Sequence, residues 1–153
     1  MKTVRVIGVL VAAVQLFSML AFCASIYTIF MVASSTTSGD AMAVQVTFNE
    51  AAGDGMISLD AELRNEGLLG VNLALGIYTL NGSGERIARN STSVYLEVGG
   101  QEPVSLSLQL TEGLIGRLLE GEEGCFEVVM GVRTLRDLVG VSNSMTFGGG
   151  GSA

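Results

Sequence analysis

Few side chains in this chain have the types and spacing that chemistry requires. Common enzymes need a general base, an activated nucleophile or a metal cluster, and the sequence has no histidine and only two cysteines. Carboxylates remain, and Glu122 with Glu123, or Asp54 with Asp60, could hold a divalent cation. Asp54 lacks the ladder of oxygen ligands found in a calcium loop, and adjacent acids are typical of a solvated turn. We therefore expect no enzyme, no metal and no cofactor.

Two short motifs could carry a modification. Asn81-Gly-Ser83 and Asn90-Ser-Thr92 both match the acceptor pattern for N-glycosylation, and both lie in or beside a predicted surface hairpin. Glycosylation at Asn81 and Asn90 is one interpretation, and a chance match of a short motif is the other.

The N-terminal segment has the length and composition of a transmembrane helix. Residues 6–33 contain no charged side chain, and 28 residues at about 1.5 Å each give a helix of roughly 42 Å. A hydrocarbon core of about 30 Å requires only around 20 residues. The alternative is a cleaved signal peptide, whose apolar region is about 7–15 residues long, with Ala33-Ser34-Ser35 as the cleavage site. We predict an uncleaved signal-anchor.

Charge predicts the orientation of this anchor. Lys2 and Arg5 precede the apolar run, whereas a neutral Ser/Thr segment and Asp40 follow it. By the positive-inside rule the N-terminus is cytoplasmic and the rest of the chain lies outside a plasma membrane, as a single-pass protein.

A set of small and polar residues lies within the predicted span, and these would form a face for helix association. They are Gly8, Ala12, Gln15, Ala21 and Ser25. A lone anchor that tolerates one glutamine and a homo-oligomer formed through this face both remain open.

The two cysteines do not form a disulfide framework. Cys23 falls within the predicted span and Cys125 within the outer part of the chain, so they are kept apart. We expect Cys125 to be a small buried hydrophobic residue, and an intermolecular disulfide is the alternative.

Alternating apolar and polar residues dominate the chain after residue 41. Residues 57–63 and 104–110 have apolar side chains at every second position, which is typical of strands with one wet face. Glycine-rich turns separate seven or eight such strands, and helical spacing behind Thr111 predicts one short helix over 111–120. The prediction is an all-β, fibronectin-III/Ig-like antiparallel sandwich with one short helix, preceded by a single transmembrane helix.

These elements define four regions. Residues 1–33 are the cytoplasmic tip and membrane helix, 34–41 a polar stalk, 42–147 the extracytoplasmic sandwich, and 148–153 a flexible Gly-rich tail. Fifteen acidic and six basic residues follow residue 33, for a net charge of about −9. Such a surface repels nucleic acid and anionic lipid.

The strand pattern resembles the LEA14/WHy family, the water-stress and hypersensitive-response domains. The segments that carry the resemblance are ISLDAELRN, NLALGIYTLNGSGERIARN, VYLEVGGQEPVSLSLQL and TEGLIGRLLEG. The Asn-Pro-Asn that usually follows the second strand of that family is Asn65-Glu66-Gly67 here. We predict that Asn65 is a turn residue whose side chain bonds its own backbone. The resemblance implies a non-enzymatic sandwich that is often tethered by an N-terminal helix.

The predicted function follows from this organisation and from the missing chemistry. We expect a membrane-anchored structural or interaction module at the cell envelope, related to stress as the resemblance implies, with membrane lipid and an envelope protein as partners. The alternative is a subunit of a larger membrane complex, or of an extracellular filament packed through its N-terminal helix.

Overall fold

The computed structural model of the chain describes residues 2–37, 41–49, 54–120 and 125–147. Nine helices and strands occur within these residues. In chain order they are α1 (Lys2–Thr37), β1 (Met42–Asn49), β2 (Asp54–Arg64), β3 (Val71–Leu80), β4 (Arg86–Leu96), β5 (Gln101–Leu110), α2 (Glu112–Leu119), β6 (Phe126–Thr134) and β7 (Val139–Phe147).

The seven strands form two antiparallel sheets that face each other. One has the order β1-β2-β5 and the other β4-β3-β6-β7. Alternating positions of β2, β3 and β6 are buried between the sheets, which is the pattern their sequences predict. Pro103, the only proline, lies on the edge strand β5, where its missing N–H costs no central hydrogen bond. The predicted β-sandwich is confirmed.

The core is built from the inward rows of both sheets. Its fully buried members include Ile57 and Leu59 from β2, and Leu73, Leu75 and Ile77 from β3. Cys125 is also fully buried, as predicted, and neither cysteine forms a disulfide.

Helix α2 covers one end of the core. Leu114 and Leu118 are buried at helical spacing, and Arg117 donates a 2.9 Å hydrogen bond to the carbonyl of Leu80 at the end of β3. The predicted short helix is therefore confirmed. Thr111 occupies the N-cap position but makes no side-chain capping bond there, and its carbonyl instead accepts from the N–H groups of Leu114 and Ile115.

Helix α1 differs from the prediction at its C-terminal end. It continues through Thr37 rather than ending at Ala33, and Thr36 is fully buried. The stalk predicted over residues 34–41 is thus wrong for 34–37, because these residues are helical and the helix packs on the sandwich. Residues 38–40 lie outside the described residues, as do residue 1, residues 50–53, residues 121–124 and the predicted tail over 148–153.

Three places depart from a simple alternation of buried and exposed residues. Val98 lies in the turn after β4 and is exposed. Val46 and Phe48 face the core side of edge strand β1, yet both remain partly exposed because no strand lies beyond them in their sheet. Strand β3 lies inside its sheet, and Ala74 on its outer face is exposed.

Candidate functional site

The last third of α1 forms part of the sandwich. Its buried residues recur at three- and four-residue spacing, so they share one helix face. They are Ser25, Thr28, Ile29, Val32 and Thr36. Ile29 and Val32 belong to the same hydrophobic core as the strands, and the helix packs against β2, β6 and β7. We call this contact the helix seat.

Hydrogen bonds fix the height at which the helix enters the seat. The hydroxyl of Thr28 accepts from the backbone N–H groups of Leu68 and Leu69, at 3.0 and 3.2 Å. Gly67 lies against the same side chain, and a Cβ at Gly67 would come within 2.8 Å of the Thr28 Cα. The Thr28 hydroxyl thus pairs two loop N–H groups that the helix would otherwise bury without an acceptor. The missing side chain of Gly67 leaves room for the helix.

Residues 6–24 of α1 have little cover. Apart from partly buried Ala21 and Ala24, residues 6–24 are exposed, and most of them are large and apolar. The helix is long and apolar enough over Val6–Thr36 to cross a membrane, a property that signal sequences share.

The proposed face for helix association divides between these two parts. Gly8, Ala12 and Gln15 are exposed on the uncovered part, and Ala21 is half-buried. Ser25 is fully buried, and its hydroxyl donates a 2.7 Å bond to the Ala21 carbonyl. Its assignment to an intermolecular helix face is therefore wrong, because the protein's own fold covers it.

Asn65 ties the loop beneath the helix to the opposite sheet. Its side chain is fully buried, and its Oδ1 accepts from the N–H of Gly67 at 3.0 Å, as the predicted turn role requires. Its Nδ2 also donates to the carbonyls of Leu69 at 2.9 Å and Glu97 at 3.0 Å. The side chain thus joins the β2–β3 loop to the β4–β5 loop, both of which cross from one sheet to the other, and the prediction did not include this link.

The outer face of the four-stranded sheet carries a shallow groove of about 650 Å³. Its floor is two rows of mostly small side chains that run across the strands in register. These rows are Ser93, Ala74, Gly131 and Ser142, and Ser91, Gly76 and Val129. Small floor residues allow another backbone or a flat molecule to come close to the sheet. We call this surface the outer groove.

Larger side chains wall the groove on both sides. Tyr78 leans over Gly76 on one side, and the guanidinium of Arg86 lies 4.3 Å from the Tyr78 ring centroid. Arg86 also donates a 2.7 Å bond to the Glu127 carboxylate. The hydrogen bond from Arg86, reinforced by one from Ser144, holds the pKa of Glu127 below its usual value, although burial acts in the opposite direction. Arg133 and Asp137 line the other side.

The carboxylate pairs do not form a site in the described part of the chain. Asp54 and Asp60 are exposed and lie on the same strand, six residues and about 20 Å apart. Glu122 and Glu123 lie outside the described residues. Among the described residues no three acids or cysteines are close enough to hold a metal ion.

Both glycosylation motifs have their asparagines engaged. Asn81 lies in the β3–β4 turn, where its Oδ1 accepts from the N–H groups of Ser83 and Glu85 and its Nδ2 donates to the Glu85 carboxylate. Asn90 lies inside β4 and donates a 2.8 Å bond to the Ser107 carbonyl on β5. Modification of either residue stays a prediction, and Asn81 is the better placed of the two.

Neither the helix seat nor the outer groove was predicted from the sequence. A signal for the seat was present in the hydroxyl residues Ser25, Thr28 and Thr36, which interrupt an apolar helix at helical spacing. The groove has a weaker signal, the small residues at outward positions of neighbouring strands, and it requires the register before it can be seen.

Comparison with known proteins supports the fold alone. No protein-family model and no curated protein matches the chain. A calcium-binding mutant of Bacteroides uniformis beta-glucuronidase 2 matches with a TM-score of 0.50 and 12% identity, over 71% of this chain. A protein from Archaeoglobus fulgidus matches at a TM-score of 0.37 and 15% identity, over 70% of this chain and 95% of its own. This chain spans 13% of the glucuronidase, so the likeness is to one β-sandwich domain of that enzyme.

Proposed function

We propose that this protein is a non-enzymatic interaction module, held on the outer surface of a membrane by α1, which serves both as anchor and as part of the sandwich. The observation that carries the proposal is the division of α1 into a bare apolar part over residues 6–24 and a seated part over residues 25–36. A bare apolar helix in water would expose much hydrophobic surface, whereas a bilayer covers it at no such cost.

The helix seat favours an anchor over a cleaved signal peptide. Cleavage near Ala33 would remove Thr28, Ile29 and Val32 from the fold, although Ile29 and Val32 belong to the core. Residues of a cleaved signal sequence are not expected to form part of the core of the exported domain. The N-terminus is on the cytoplasmic side in this proposal, because Lys2 and Arg5 precede the apolar part of α1.

The outer groove is the surface that we propose for the partner. It combines hydroxyl groups, a close approach to the backbone, an aromatic wall at Tyr78 and the charge of Arg133. These features suit an extended polypeptide or a polar polymer of the cell envelope, which would lie across the strands. The stress-related role implied by the resemblance to the WHy domains belongs to this proposal too.

One pair of matched variants tests the groove as a partner surface. Ser93→Tyr adds a large side chain to the groove floor, whereas Ser105→Tyr makes the same change on the outer face of the other sheet, where the side chain is also exposed. After mild detergent extraction from the native membrane, native mass analysis should show a partner bound to the wild type and to Ser105→Tyr but not to Ser93→Tyr. A monomer in all three, or a partner retained by all three, would contradict the role of the groove.

The same measurement addresses the alternative of a filament or complex subunit. The bare apolar part of α1 could be buried among other helices instead of in lipid. A series of homo-oligomers that persists in both tyrosine variants would favour that alternative, because the contact would then be made by α1.

A further inference from the structure

Three loops meet at the end of the sandwich where α1 enters. They are residues 65–70 between β2 and β3, 97–100 between β4 and β5, and 135–138 between β6 and β7. Val71 pairs with both Leu96 and Thr134, so these strand ends are level with one another. Asn65 and Gly99 join the first two loops by a backbone bond of 2.8 Å. We call this surface the helix-side end.

The position of Thr28 sets the distance between this end and the bare part of α1. Thr28 binds the backbone of Leu68 and Leu69, and it lies four residues, or about 6 Å of helix rise, beyond residue 24. Residues 6–24 give a helix of about 28 Å, which matches the roughly 30 Å thickness of a hydrocarbon core. The loop at Leu68 is therefore at the height of the lipid headgroups when α1 spans the bilayer.

An aromatic residue marks the same height on the helix itself. Tyr27 is adjacent to Thr28 and is 47% exposed. Tyrosine is enriched at the boundary between membrane and water, where its ring contacts lipid and its hydroxyl contacts water. The level deduced from helix length and the level marked by Tyr27 thus agree.

Each of the three loops presents one large apolar side chain outward. Leu68 is 62% exposed, Val98 is 57% exposed and Leu138 is 83% exposed. None of the three contributes much to the core, and an apolar side chain exposed to water at a loop tip does not stabilise the fold. Contact with the acyl boundary would remove this surface from water, which is favourable.

The loop that holds Leu138 has an unusual backbone. Leu135, Arg136 and Asp137 all have positive φ, at 52°, 55° and 69°. Non-glycine residues seldom adopt this region because it is strained, and such strain is often associated with a functional requirement. A 3.0 Å bond from Asn72 to the Asp137 carboxylate holds the turn in place. The result is the most exposed of the three tips.

We propose that Leu68, Val98 and Leu138 insert into the headgroup–acyl boundary of the leaflet from which α1 emerges, so that the sandwich is seated on the bilayer instead of swinging from a stalk. This inference rests on the proposed membrane anchor. Acidic Glu66, Glu97 and Asp137 lie beside the tips, so the contact is apolar and does not require anionic lipid. The outer groove then faces sideways, parallel to the membrane plane.

The absence of tryptophan from the sequence provides a direct test. Single variants Leu68→Trp and Leu138→Trp of the full chain are reconstituted into phosphatidylcholine vesicles, with or without bromine at shallow acyl positions. We expect brominated lipid to lower their fluorescence at least about twofold, with blue-shifted emission. Ile87→Trp is the control, because Ile87 is 54% exposed near the opposite end of the sandwich, and its emission should not change.

A fourth variant separates this inference from the anchor on which it rests. Leu16→Trp places the reporter in the middle of the bare helix, where lipid brominated deep in the acyl chain should quench it. Quenching of Leu16→Trp without quenching of Leu68→Trp and Leu138→Trp would overturn the seating of the loops and leave the anchor intact. No quenching of Leu16→Trp would overturn the anchor, and this inference with it.

Discussion

The side chain of Thr28 lies directly against the backbone of Gly67, and this contact joins the apolar helix to the β-sandwich. A Cβ on Gly67 would lie 2.8 Å from both the Cα and the Cβ of Thr28. The hydroxyl of Thr28 meanwhile accepts from the next two backbone N–H groups. The helix and the sandwich are therefore one packed unit rather than two parts joined by a stalk.

Gly67→Ala should push α1 out of its seat. The added methyl group meets helix backbone, which cannot move aside as a flexible side chain would, so we expect a loss of about 1–3 kcal/mol in unfolding free energy. Gly82→Ala is the matched control, since nothing lies within 4 Å of a Cβ at Gly82. Denaturant unfolding in detergent measures the unfolding free energy of both variants. Equal values would show that α1 does not pack tightly against Gly67.

Thr28→Val tests the hydrogen bonds of the seat at nearly constant volume. The N–H groups of Leu68 and Leu69 would lose their shared acceptor, and a buried unsatisfied donor costs about 1–3 kcal/mol. Thr47→Val is the control, because the hydroxyl of Thr47 makes only an exposed 3.3 Å bond on β1. We expect faster amide exchange at Leu68 and Leu69 in Thr28→Val alone. Unchanged exchange there would contradict the seat geometry.

Asn65→Ala should be more damaging than a typical change in a loop. It would leave the N–H of Gly67 and the carbonyls of Leu69 and Glu97 without their partner, so we expect a loss of about 2–5 kcal/mol. Asn72→Ala removes only the exposed bond to Asp137 and should cost less than about 1 kcal/mol. Thermal unfolding compares the two variants, and a mild effect at Asn65 would mean that water replaces its bonds.

The Arg86–Glu127 pair predicts a pH dependence at the wall of the outer groove. Because the pKa of Glu127 is lowered in the folded protein, the pair stabilises the fold above the unfolded-state pKa near 4.5, and this contribution is lost as pH falls through the folded pKa. Wild type should exceed Glu127→Gln in Tm at pH 7, and the difference should shrink toward pH 3. A difference that grew at low pH would contradict this assignment.

Much of the fold could be predicted from the sequence because the period of hydrophobic residues differs between strand and helix. The alternating rows of β2 and β5 and the helical spacing of α2 indicated the right elements, and apolar length alone indicated α1. The end of α1 was missed, because Ser34 to Thr37 read as a polar linker when considered by themselves. These residues remain helical because Thr36 and Val32 pack on the sandwich, a tertiary effect that local composition does not encode.

The candidate surfaces were harder to predict for a related reason. Asn65 was identified as a turn residue, yet two of its bonds reach residues 4 and 32 positions away in the chain. The outer groove depends on the register of four strands, which places Ala74 beside Ser93 and Gly131. Neither relationship follows from spacing along the sequence.

The sandwich needs the seated part of α1 for its stability. A fragment that begins at residue 34 lacks Ile29 and Val32, whose burial stabilises the fold by about 1.5–3 kcal/mol each. A fragment that begins at residue 25 keeps the whole seat. We expect the longer fragment to unfold cooperatively in solution and the shorter one to be markedly less stable by circular dichroism. Equal stability would show that the seated helix is dispensable.

The most direct test of the central claim is the intact mass of the protein that remains in native membranes after an alkaline carbonate wash. We predict that the protein stays in the membrane pellet and retains residues 1–33, because α1 is both the anchor and part of the core in the proposed function. Release into the wash, or a chain that begins near Ser34, would show that the helix is a cleaved signal and would contradict the account.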